Sequence, residues 1–150
     1  MYFEEFRTGD TIGTPARTIS EHELDAFLEL VGLDLPMFLD DSSARRMGHA
    51  RRLVTGPMIL AVALGRGRAI GLFDHVIAGL QFNRMHFRKA VHPGDALRAE
   101  ITVLKTRPTS DPARGLVVLA FHVRNQDAAL VLETEGTYLF RRTDPGSKET

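Results

Sequence analysis

Pro57-Met58-Ile59-Leu60-Ala61-Val62-Ala63-Leu64 is apolar at every position, and the fold is read outward from that run. A surface helix carries a polar stripe, so a helix without one is buried on most sides. Proline suits the first turn, where its missing N–H has no bond to lose. A central helix is therefore expected over about Pro57–Ile70, with Arg66 and Arg68 marking its emergence into solvent. Downstream the period changes. His75–Arg88, Ala96–Arg107, Gly115–Arg124 and Ala129–Arg141 are rich in Val, Ile, Leu, Phe and Thr, and turn signals separate them at His92-Pro93-Gly94-Asp95, Pro108–Gly115 and Asn125-Gln126-Asp127. Connections this short favour an antiparallel meander, since parallel neighbours need a long crossover. One buried helix followed by four long strands predicts a single α+β domain over residues 1–142, a curved antiparallel sheet wrapped around a central helix.

Upstream, Ser20-Glu21-His22-Glu23 is a capping box, and Leu24, Phe27, Leu28 and Val31 recur at helical spacing until Gly32 supplies a left-handed stop. An amphipathic helix follows over Glu21–Val31, then a loop through Pro36 and a short helical turn at Asp41–Arg46. The tail, Thr143–Thr150, is polar with Pro and Gly and is expected to be disordered.

Composition narrows the function. Among 150 residues, 19 basic and 19 acidic side chains cancel, which removes the electrostatic footprint of non-specific nucleic-acid binding. No cysteine is present, so there are neither disulfides nor thiolate metal sites. The acidic start, Met1-Tyr2-Phe3-Glu4-Glu5-Phe6, is unlike a secretory leader. The longest apolar stretch is far short of the roughly twenty residues that span a bilayer. The expectation is a soluble, cytoplasmic domain that engages neither membrane nor nucleic acid. A sheet wrapped on one helix leaves an edge uncovered, and dimerisation is the natural remedy.

Four landmarks, in order, carry a family resemblance over about Tyr2–Arg142. Tyr2-Phe3-Glu4-Glu5-Phe6 with Gly9-Asp10 and Arg17-Thr18-Ile19-Ser20 looks like an entry strand and helix cap. Arg51-Arg52-Leu53-Val54-Thr55-Gly56 looks like an Arg-Ile-Val-His-Gly turn into the central helix. Phe87-Arg88-Lys89-Ala90-Val91-His92-Pro93-Gly94-Asp95-Ala96-Leu97 resembles Phe-x-x-Pro-Val-x-Pro-Gly-Asp-x-Leu, with Ala90 in place of proline. Val123-Arg124-Asn125-Gln126-Asp127 is similar to a last hairpin. Together these resemble the MaoC-like dehydratases, or (R)-specific enoyl-CoA hydratases. The resemblance implies a hot-dog fold, usually dimeric, with an acyl-CoA or acyl-carrier thioester bound at the subunit interface and no cofactor or metal.

The same resemblance exposes a gap. Hydration in the family rests on Gly-Asp-x-Asn-Pro-x-His, whose aspartate and histidine activate one water. Here Gly32-Leu33-Asp34-Leu35-Pro36-Met37-Phe38 puts Leu33 at the aspartate position and Phe38 at the histidine position. A positioned acid or base contributes ~10²–10⁴ in rate, so losing both removes the usual mechanism. Asp34, one residue late, with His49 from the loop before the central helix, forms the candidate catalytic pair; a turn cap and a surface-loop histidine are the plainer readings. Gly56, which in the family offers its N–H to the thioester carbonyl, and Thr55, at a family histidine position, are candidate substrate-binding residues. Leu33 and Phe38 would line an apolar acyl pocket or simply pack. Arg51 and Arg52, clustered with Arg45 and Arg46, would hold phosphates of coenzyme A or an acidic carrier, or form a solvated charged face. His86 and His122 fall in strands with no metal spacing, and Gly65-x-Gly67 sits inside a helix rather than in a nucleotide-binding turn. Three functions remain: a hydratase-dehydratase with displaced catalytic residues, a non-catalytic acyl-CoA-binding subunit of a heteromeric hydratase, and a thioesterase.

Overall fold

The computed structural model describes residues Met1–Thr143. After a 3₁₀ turn at Phe3–Glu5 come two short strands, β1 (Thr11–Gly13) and β2 (Arg17–Thr18), and helices α1 (Glu21–Val31), α2 (Pro36–Leu39), α3 (Asp41–Arg46) and α4 (Gly56–Ala69). Four long strands follow: β3 (Val76–Phe87), β4 (Ala96–Pro108), β5 (Arg114–Arg124) and β6 (Leu130–Arg141). The expected tail lies outside the described residues beyond Thr143, whose N–H donates to Glu4.

Helix α1 has the limits its caps dictate. Ser20 Oγ accepts from the Glu23 N–H while the Glu23 carboxylate accepts from the Ser20 N–H, and Gly32 closes the helix at φ 69°. Helix α2 replaces the expected loop. It is one turn built on Pro36 in its first turn, without a side-chain cap.

The sheet corrects the expected meander. Its order is β1-β4-β5-β6-β3, with β2 also on β4 and every pairing antiparallel. Only β4, β5 and β6 run as a meander; β3 lies on β6 at the far edge. The Arg88–Asp95 connection must therefore cross the sheet. Extended chain covers about 3.3 Å per residue, so it spans the three strand spacings of about 4.8 Å each.

One face of the sheet packs on α4. Leu97, Ile101, Leu119, Phe121, Leu132 and Phe140 are fully buried in it, each burial worth about 1.5–3 kcal/mol. Three register shifts curve β3. Its outer edge carries exposed Ile77, Leu80, Phe82 and Phe87.

Candidate functional site

The segment entering α4 is held on both sides. The Leu53 N–H donates to Met37 O, the Val54 N–H to Val91 O at 2.7 Å, and the Arg52 N–H to Asp41 Oδ1. His92 Nδ1 lies 2.9 Å from Arg52 O, on the β4 side. This frame fixes Thr55 as the cap residue of α4, with Pro57 in the first turn.

What that helix end leaves unpaired is informative. The Met58 and Ile59 N–H groups both return to Thr55 O. The Gly56 N–H has no acceptor within the helix, and it finds none elsewhere among the described residues. The Thr55 hydroxyl does not cap the helix; it is buried, 1% exposed, without a partner among the described residues. A Cβ on Gly56 would come within 2.7 Å of the Phe87 ring, so glycine is what lets that half-exposed ring lie against the helix start. A free N–H at a helix N-terminus with an orphan hydroxyl beside it is a pair of donors suited to an electron-rich oxygen.

The proposed acid-base pair is not assembled. Asp34 is exposed on a groove of about 420 Å³ lined by Asp25, Leu28, Glu29, Gly32 and Leu39, none of them basic. His49 is half-buried, and its N–H donates to Ala44 O. No hydrogen bond or ion pair joins it to Asp34 among the described residues. Phe38 belongs to the hydrophobic core, and Leu33 packs against it. Leu33 and Phe38 thus serve packing.

The arginine cluster is largely tied up within the chain. The Arg52 side chain is buried, donating from Nε to Phe38 O at 3.0 Å and from Nη2 to Asp25 at 2.5 Å. Arg51 donates to Pro93 O and lies 4.0 Å from Asp95. Arg45 donates to Ala50 O, and Arg46 to the hydroxyls of Ser42 and Ser43. Arg52, expected to meet phosphates, instead fastens α2 to α1. His86 and His122 stand in register on either side of Glu133, on the sheet face away from α4. An Arg88 hydrogen bond holds that carboxyl below its ordinary range, against a smaller opposing effect of desolvation. No cluster of potential metal ligands occurs among the described residues.

Two residues escaped the sequence reading. Phe87 was only a landmark, because nothing local shows that its ring reaches a helix 31 positions upstream. Tyr138 is buried, 5% exposed, and its hydroxyl has no partner among the described residues. The available signal was Gly136-Thr137-Tyr138, a glycine inside a strand two positions from an aromatic ring on the same face.

No protein-family model matches the chain. It is 28% identical, over 97% of its length, to the beta-methylmalyl-CoA dehydratase of Chloroflexus aurantiacus, and covers 42% of that protein. To Protein MaoC of Klebsiella aerogenes it is 31% identical over 67% of its length, covering 30% of that protein. The chain thus spans less than half the length of these relatives. Among solved structures, a monoamine oxidase regulatory protein from Archaeoglobus matches with a TM-score of 0.87 at 26% identity, with 96% of each chain covered. A double hot-dog protein from Mycobacterium tuberculosis matches in fold with a TM-score of 0.86 at 23% identity, all of this chain lying on 46% of that one.

Proposed function

Since the chain belongs to the MaoC-like hot-dog family, we propose that it binds an acyl thioester at the start of α4 and serves as the binding half of an enoyl-thioester hydratase-dehydratase. The acid-base pair comes from a second hot-dog domain. The observation that carries this reading is the helix end itself. Thr55 Oγ1 and the Gly56 N–H remain unpaired among the described residues, with Phe87 against Gly56, while Leu33 and Phe38 hold no proton to give or take. Polarisation of a carbonyl and activation of water are separate tasks, and only the first has its groups here.

Two further facts favour pairing. The long β3 edge has no further strand beside it among the described residues and exposes Ile77, Leu80 and Phe82, and such an edge is a template for another strand. The dehydratase and MaoC relatives are more than twice the length of the chain's match to them, and one structural neighbour is a double hot-dog. The alternative, a self-sufficient hydratase using Asp34 and His49, lacks a contact between those residues. Thioester hydrolysis lacks a distinctively placed carboxylate.

The test is to follow crotonyl-CoA with the protein alone, measuring binding by calorimetry and hydration by loss of the enoyl-thioester absorbance. Binding without turnover is expected, and a Leu33→Asp/Phe38→His double variant should gain hydration. Robust turnover by the unaltered protein would overturn the binding-half reading; failure to bind any acyl-CoA would overturn the thioester reading altogether. Thr55→Val, which keeps the shape and removes the hydroxyl, should leave the thermal midpoint equal or higher while weakening crotonyl-CoA binding roughly threefold to tenfold, the worth of one net hydrogen bond.

A further inference from the structure

The Tyr138 phenol is expensive to place and unexplained by stability. Its side chain projects from the helix-facing side of β6, with the Phe73 ring centroid 5.1 Å away, Phe121 and Phe82 each at 6.3 Å, and Phe140 also at 6.3 Å. The ring lies along its own strand. A Cβ on Gly136 would stand 2.6 Å from a ring carbon and 2.8 Å from the hydroxyl oxygen, so the phenol occupies the place of a side chain at 136. Gly79, the Tyr138 register partner on β3, leaves room on the other side. Glycine weakens a strand interior, and a buried hydroxyl without a partner loses its hydration for nothing in return. Phenylalanine would fill the same aromatic cluster without that loss. Burial also pushes the phenol above its ordinary range, so it remains a neutral hydrogen-bonding group.

Building on the acyl-thioester reading above, we propose that Tyr138 is a specificity-determining residue whose hydroxyl hydrogen-bonds an oxygen substituent carried on the bound acyl chain. The location suits this role. Gly136 pairs with Phe82 on the edge strand, so the hydroxyl lies over the sheet one residue from an aromatic side chain that is 39% exposed. A chain entering past Phe82 would meet apolar rings on all sides and one polar atom. An acyl group bearing an oxygen satisfies that atom; a plain alkyl chain leaves it unpaired.

The test compares 8-hydroxyoctanoyl-CoA with octanoyl-CoA by calorimetry, a chain long enough to run from the start of α4 towards Tyr138, in the wild-type protein and in Tyr138→Phe, together with thermal midpoints. The wild type should favour the hydroxylated ligand by about tenfold, the order expected of one hydrogen bond in a dry site. Tyr138→Phe should abolish that preference, leave octanoyl-CoA binding unchanged, and raise or preserve the thermal midpoint. Three results would overturn the proposal: no preference in the wild type, a preference that survives the substitution, or a clear fall in the midpoint, which would mean the hydroxyl is already satisfied in the free protein. If neither ligand binds, the thioester reading fails and this proposal with it.

Discussion

Arg52 shows how one residue can be read two ways from its neighbours in sequence. Beside Arg45, Arg46 and Arg51 it looked like part of a phosphate-binding cluster. In the fold its flat head group reaches the Phe38 carbonyl and the Asp25 carboxylate at once. Local spacing could not show this, because those partners lie 14 and 27 residues upstream. Arg52→Met should preserve much of the buried stem but strand the Phe38 carbonyl, costing about 2 kcal/mol of stability; the shift of the urea midpoint measures it. Arg52→Lys should recover only part of this loss, since a single ammonium lacks the planar fork. Gly136→Ala belongs to the same scale. Its new methyl would collide with the Tyr138 ring, and an overpacked site of this kind loses about 1–3 kcal/mol. A variant as stable as wild type would mean the ring moves freely and is not held over the strand.

At the level of elements, legibility follows locality. Helix α1 was readable end to end because its signals are its own residues: Ser20 and Glu23 at one end, Gly32 at the other. Ser20→Ala should cost about 1 kcal/mol by thermal or urea unfolding. The box also sets a pH dependence. The Ser20 N–H, aided by Arg17 and opposed by slight burial, holds the Glu23 carboxyl below its ordinary 4.5. A carboxyl lower in the folded than in the unfolded chain adds stability above the unfolded value, and that increment vanishes as pH falls through the folded one. The stability gap between wild type and Glu23→Gln should therefore be widest near pH 6 and shrink towards about pH 3; a gap that grew in acid would contradict the assignment. Helix α2 was not readable. Its one turn has no side-chain cap, and Arg52 and Leu53 anchor it from another part of the chain.

For the whole molecule, the consequential feature is the edge strand β3. It exposes Leu80 at 56% along with Ile77 and Phe82, on a strand with no neighbour beyond it among the described residues. In the absence of another partner, this edge is expected to pair with a second copy. Leu80→Lys should then shift the sedimentation of the protein from dimer to monomer, because a charged edge resists strand addition; a wild-type protein that stays monomeric at high concentration would remove that edge from consideration. The central helix, the four long strands and the apolar character of positions 33 and 38 were determined by the sequence alone, since apolar run, period and residue identity are local properties. The crossing of β3 to the far edge, the packing of Phe87 on Gly56, the engagement of the arginines and the orphaned hydroxyls of Thr55 and Tyr138 were decided only by the tertiary structure. Each depends on which distant segments meet, and a strand's composition is the same whichever neighbour it takes.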